Sequence, residues 1–103
     1  MSDIKVITIC GSMKFSKEMI KISEQLELEQ GYAVIQCVYN LEDKKHEGFD
    51  GELLDKIHRK KIEISDAIYV VNVNGYVGNS TKNEIEYAKR LGKDILSLEP
   101  LDL

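Results

Sequence analysis

One proline in 103 residues, no repeats and no low-complexity tract leave little room for disorder. With 43% hydrophobic and 31% charged residues, the composition is that of a compact folded chain. No apolar run approaches the ~18–20 residues that a membrane span needs. The opening MSDIKV leads into a strand pattern and lacks the regions of a signal peptide, so neither a membrane nor a secreted protein is expected. Cysteine is scarce: Cys10 and Cys37 lie in apolar runs without framework or metal spacing, and are expected as buried reduced thiols of a cytoplasmic chain. Basic residues are outnumbered, 14 against 18, and the net charge of −4 argues against a DNA or RNA polymer as partner. Neither G-x-x-x-x-G-K-[ST] nor G-x-G-x-x-G occurs, which excludes a P-loop and a dinucleotide fingerprint. His46-Glu47 is an isolated pair, and no His, Cys, Asp and Glu group has metal-ligand spacing along the chain. No metal and no cofactor are therefore expected.

What is present is a regular alternation. Ile4–Cys10 is a β-branched run stopped by Gly11-Ser12, of the kind that suits a strand covered on both faces. Phe15, Met19, Ile22 and Leu26 then follow helical spacing up to Gly31, a glycine placed to end a helix. Residues 33–38 predict a second strand and residues 39–50 a polar loop. A second helix is expected over 51–65 with Leu54, Ile57 and Ile62 inward, and a third strand over 67–73. A glycine-bearing loop over 74–80, a third helix over 81–91 and a last strand over 94–99 complete the chain. The order β-α-β-α-β-α-β predicts one α/β domain over 1–103, Rossmann-like or flavodoxin-like. Its mostly parallel sheet should have four to five strands, with helices on both faces.

In such sheets ligands bind beyond the carboxyl ends of the strands, near the switch in strand order, where helix N-termini also favour anions. That rule selects Gly11 and Ser12 after the first strand and the stretch Asn72 to Thr81 after the third. Within that stretch Tyr76 could stack on a base, while Gly78, Ser80 and Thr81 open a helix. Glu84 carries two readings. Thr81-Lys82-Asn83-Glu84 has capping-box form, which would spend the carboxylate on a backbone N–H. Alternatively Glu84 shares a helical face with Ala88 and Leu91 and points inward above the strand ends, where an acid can serve glycosyl transfer. His58 lies in a stripe with Leu54 and Ile62 and is either a core histidine or a group facing the same cleft. Asp66 is expected to turn the chain, and Lys56, Arg59, Lys60 and Lys61 to form a solvated face.

The segments ITICGSMKF, L-x-x-x-H-x-x-K-I-x-x-S-D-A-I-x-V-V-N, G-Y-V-G-N-S-T-x-N-E-I-x-Y-A and G-K-D-I-L-S-L-E-P, in this order over nearly the whole chain, resemble the nucleoside 2-deoxyribosyltransferase-like superfamily. That group includes the transferases and the 2′-deoxynucleoside 5′-monophosphate N-glycosidases. The resemblance implies cleavage of the bond between a base and its deoxyribose, with Glu84 as nucleophile toward C1′. Gly11 and Ser12 would line the sugar or phosphate pocket, and hydroxyls near Ser80 would hold a monophosphate. His58 stands where many transferases carry an aspartate that helps protonate the base. Gly78 replaces an aspartate or serine, and the transferases' C-terminal extension has no counterpart, so hydrolysis of a monophosphate fits better than transfer. The small-molecule partner would be a nucleoside or nucleotide, and a homodimer is implied. The same helix ends would also serve a module that binds nucleotides without turning them over. A purely structural oligomer subunit is a third reading.

Overall fold

Branched side chains between Ile4 and Cys10 have few rotamers in a helix and pack well on a pleated surface. The computed structural model, which describes residues 3–39 and 51–101, has strand β1 there at Val6–Gly11. A 3₁₀ turn over Met13–Phe15 leads into helix α1, Ser16–Gln30. The helix stops at Gly31, whose φ of 72° is left-handed and whose N–H bonds back to Glu27 and Leu26 carbonyls. Strand β2 is Ala33–Ile35, helix α2 Gly51–Glu63, strand β3 Ala67–Val71, helix α3 Asn79–Arg90 and strand β4 Asp94–Ser97. The expected loop over 39–50, with His46 and Glu47, lies outside the described residues from position 40 onward.

The strands are all parallel in the order β2-β1-β3-β4. Four strands are present among the described residues, and a fifth is not. Because side chains alternate across a strand, adjacent residues serve opposite layers. Ile9 and Val71 pack against Met19, Ile22 and Leu26 of α1. Cys10, Ile68 and Val70 pack against Ile62 of α2 and Ile85 and Ala88 of α3. The result is a Rossmann-like three-layer α/β sandwich, as the element order predicts. β2, β3 and β4 are shorter than expected, and β1 begins at Val6, leaving Ile4 exposed. Ile57 and Leu91 are corrections as well: both are exposed, since the buried faces of their helices are satisfied by Ile62 and by Ile85 and Ala88.

Two polar contacts set the heights of the elements that matter later. At the amino end of the sheet, the Asp66 carboxylate accepts from Val6 N–H at 2.8 Å and Asp66 N–H donates to Val6 O, which gives Asp66 the turning role expected of it. On the α2 face, Thr8 Oγ1 is buried against Ser65 Oγ at 2.6 Å and donates to Lys61 O at 3.1 Å. This pins the end of α2 to β1. Cys10 is two residues, about 6.6 Å, further along the strand, and His58 lies nearly one turn back from Lys61 along the helix. The anchor therefore brings His58 over Cys10.

Candidate functional site

The order β2-β1-β3-β4 reverses direction between β1 and β3, so the crevice expected of a parallel sheet opens where Gly11 and Val71 end their strands. The backbones are close at this point. A Cβ on Gly11 would stand 3.2 Å from Val71 O and 3.2 Å from Met19 Sδ, so glycine lets β1 finish flush with β3. After β3 the chain makes a tight turn through Asn74 and Gly75, both at positive φ, and enters α3 with Gly78 as N-cap.

That start overturns the capping-box reading. The helix begins at Asn79, so Thr81 is the third helical residue and Glu84 lies in the second turn, beyond reach of the cap. Glu84 instead turns toward the sheet with the fully buried Ala88, its side chain 23% exposed. Glu84 Oε2 is 3.5 Å from His58 Nε2, and the same nitrogen is 3.5 Å from Cys10 Sγ. The inward reading of both sequence candidates holds. Cys10 joins them as a third member, which its apolar setting in the sequence did not reveal.

Burial controls the protons here. It pushes the Glu84 carboxyl from its ordinary 4.5 up to about 7; a hydrogen bond with Cys10 pulls the other way, and Asp55 adds to the rise. Burial pulls His58 from 6.5 down to about 4, helped by the positive charge of Lys61. Cys10 is raised well above the usual thiol value, by burial first and then by Glu84. Desolvation thus works against both charged forms: His58 stays neutral above about pH 4, and Glu84 keeps its proton up to about pH 7. The expectation of an unperturbed imidazole near ~6.5 is corrected; at neutral pH any proton held by the pair resides on Glu84.

Three hollows lie along the crevice. Gly11, Ser12, Met13, Gly78, Asn79, Ser80 and Thr81 surround a space of about 250 Å³ at the start of α3. Among the described residues no side chain caps that first turn, which leaves its N–H groups facing the hollow. Ser80 also borders a cleft of about 60 Å³ containing Asp55, His58, Asn83 and Glu84. Asp55 and His58 in turn border a third space of about 130 Å³, with Val38, Leu54 and Ile57 as its apolar wall. Asp55 and Asn83 are members of the cleft that sequence pattern alone does not mark. The usable signals are their positions, Asp55 three residues before His58 on one helical face and Asn83 adjacent to Glu84.

Two expected binding residues do not join the site. Asn72 is fully buried: its Nδ2 donates to Glu99 O at 3.0 Å and its Oδ1 accepts from Glu99 N–H at 2.9 Å, so the amide ties β3 to the chain after β4 and has no face for substrate. Replacing it by alanine leaves two backbone groups unpaired and is expected to destabilise the fold by about 2 kcal/mol in urea melts. An Asn72→Ala protein as stable as wild type would return Asn72 to the binding candidates. Tyr76 is exposed, but Lys14 Nζ sits 3.2 Å from its ring centroid and Phe15 meets it edge-on at 5.9 Å, so one ring face is already covered by a cation. Ser12 Oγ accepts a long 3.4 Å bond from Lys14 N–H and remains at the rim of the first hollow. Of the basic residues assigned to a solvated face, Arg59 reaches the cleft at Tyr87, and Lys61 Nζ donates to Gln36 O at 2.8 Å.

Cys10, His58 and Glu84 come from β1, α2 and α3, so their spacing along the chain hid a donor set whose ligand atoms lie within 4.8 Å of one another. The class defined by these features is a parallel α/β sandwich with a titratable cluster at its topological switch point. No protein-family model matches the chain, and no curated protein matches it either. No helix among the described residues is long and apolar enough to cross a membrane.

Proposed function

We propose that this chain hydrolyses the N-glycosidic bond of a 2′-deoxynucleoside or its 5′-monophosphate. The observation that carries the reading is the sequence of three adjoining hollows, with Ser80 shared by the first two and His58 by the last two. A phosphate or 5′-hydroxyl suits the helix start, where free N–H groups and the helix dipole favour an anion. The anomeric carbon then falls beside Glu84, and a flat base faces the apolar wall of Val38, Leu54 and Ile57.

The protonated form of Glu84, which burial favours, supplies the proton. On substrate binding Glu84 passes its proton to His58 Nε2, 3.5 Å away, becoming the carboxylate that faces C1′ while His58 becomes the acid that faces the base. As the C1′–N bond breaks, its electron pair stays with the base nitrogen, which takes the His58 proton. A Glu84 oxygen bonds to C1′ or balances its positive charge. Water then attacks C1′, Glu84 departs, and the proton released from water returns to the pair. The products are free base and the deoxyribose or its phosphate.

Incubation with each deoxynucleoside and deoxynucleotide, followed by chromatography for free base, tests the reading. Release of base from at least one of them is expected. Thermal stabilisation by nucleotides with no base released would instead favour the binding module without turnover. The homodimer belongs to the same proposal, and sedimentation showing a fully active monomer would remove it.

A further inference from the structure

We propose that Cys10, His58 and Glu84 bind a divalent ion of zinc type, with an open fourth position toward the cleft. Tetrahedral zinc, with bonds of about 2.3 Å to sulfur and about 2.0–2.2 Å to nitrogen and oxygen, spaces its ligand atoms roughly 3.3–3.6 Å apart. Cys10 Sγ to His58 Nε2 and His58 Nε2 to Glu84 Oε2 are both 3.5 Å, and all three donor atoms lie within 4.8 Å. Each donor is carried by a different regular element, and the strand bearing Cys10 is fixed to the helix bearing His58 through Thr8 and Ser65. A mixed sulfur, nitrogen and oxygen set suits zinc and disfavours magnesium or calcium, which seek oxygen alone.

Charge balance supports the same ion. A thiolate, a carboxylate and a neutral imidazole carry two negative charges, which a divalent cation cancels inside a desolvated pocket. Lys61, the cation that acts on His58, has its ammonium bonded to Gln36 O. Binding releases the Cys10 proton to solvent, together with any proton on Glu84. The fourth position faces the cleft with Ser80, Asn83 and Asp55, where water completes the shell. A bound ion takes up both Glu84 and His58, so zinc would inhibit base release; this consequence, unlike the site itself, rests on the proposed glycosidase activity.

Titration of the reduced protein with Co²⁺ tests the site without any assay of activity. One equivalent should give intense tetrahedral absorption and a thiolate-to-metal charge-transfer band, both displaced by Zn²⁺. The charge-transfer band should vanish in Cys10→Ser, the tetrahedral spectrum should change in Glu84→Gln and His58→Gln, and both should persist in Cys37→Ser. Should Cys10→Ser not fold, Cys37→Ser decides alone, because only two cysteines exist and a surviving band then belongs to Cys10. Absence of the band in wild type, its persistence in folded Cys10→Ser, or its loss in Cys37→Ser overturns the proposal. A cobalt spectrum in a protein that, freed of metal by a chelator, still releases no base from any substrate would leave the metal site standing and the glycosidase reading refuted.

Discussion

Glu84→Gln is expected to lower base release by about 10³-fold or more and, at pH above about 7, to make the fold more stable. The two effects share one cause. A carboxylate placed where positive charge develops at C1′ contributes most to the barrier, and the amide is the same size without the charge or the proton to pass to His58. In the resting protein that carboxylate is a burden: burial raises its pKa from 4.5 to about 7, so above neutrality the fold holds a charge it has desolvated. Removing it is expected to add about 1–3 kcal/mol at about pH 8, the usual relation between a strained site and stability. The measurements are free-base chromatography and urea melts on the same preparation. Activity retained at wild-type level would dismiss Glu84 from the reaction. Activity lost together with stability would mean that the side chain holds the fold together instead of working in the cleft.

The layers were legible because each depends on local pattern. The β-branched run before Gly11, the spacing of Met19, Ile22 and Leu26 and the left-handed Gly31 all act within a few residues, and each appears as expected. Glu84 facing inward was legible through Ala88, one turn later on the same face. The start of α3 was not: Gly78 takes the cap position that Thr81 suits chemically, because the backbone leaving the Asn74-Gly75 turn is already extended at Gly78. The structural role of Asn72 is not legible, because its partner is the backbone of Glu99, 27 residues away, and no periodicity encodes such a contact. Cys10 was hidden for a related reason. Its neighbours in the chain are apolar, and it meets His58 only through the 48-residue separation that the Thr8–Ser65 anchor closes.

The paired burial of an acid and a base also predicts an unusual dependence of stability on pH, best measured with a chelator present. Between about pH 4.5 and 7 the native state keeps a proton on Glu84 that the unfolded chain has lost, so this group makes stability fall as pH rises. Between about pH 6.5 and 4 the unfolded chain protonates His58 while the native state does not, so this group makes stability fall as pH falls. Each displacement corresponds to at most about 3 kcal/mol. Over the shared range the slopes oppose and nearly cancel, and wild type should owe little pH dependence to this pair. Single substitutions separate them. His58→Gln should lose stability relative to wild type as pH rises from about 4.5 to 6.5, because only the acid's slope remains. Glu84→Gln should gain relative to wild type over the same interval, because only the histidine's slope remains. All other titrating groups are common to the three proteins, so the differences isolate this pair. Urea midpoints that run parallel for the three proteins would mean that neither group is desolvated, and with it would go the proton held on Glu84 for delivery to His58.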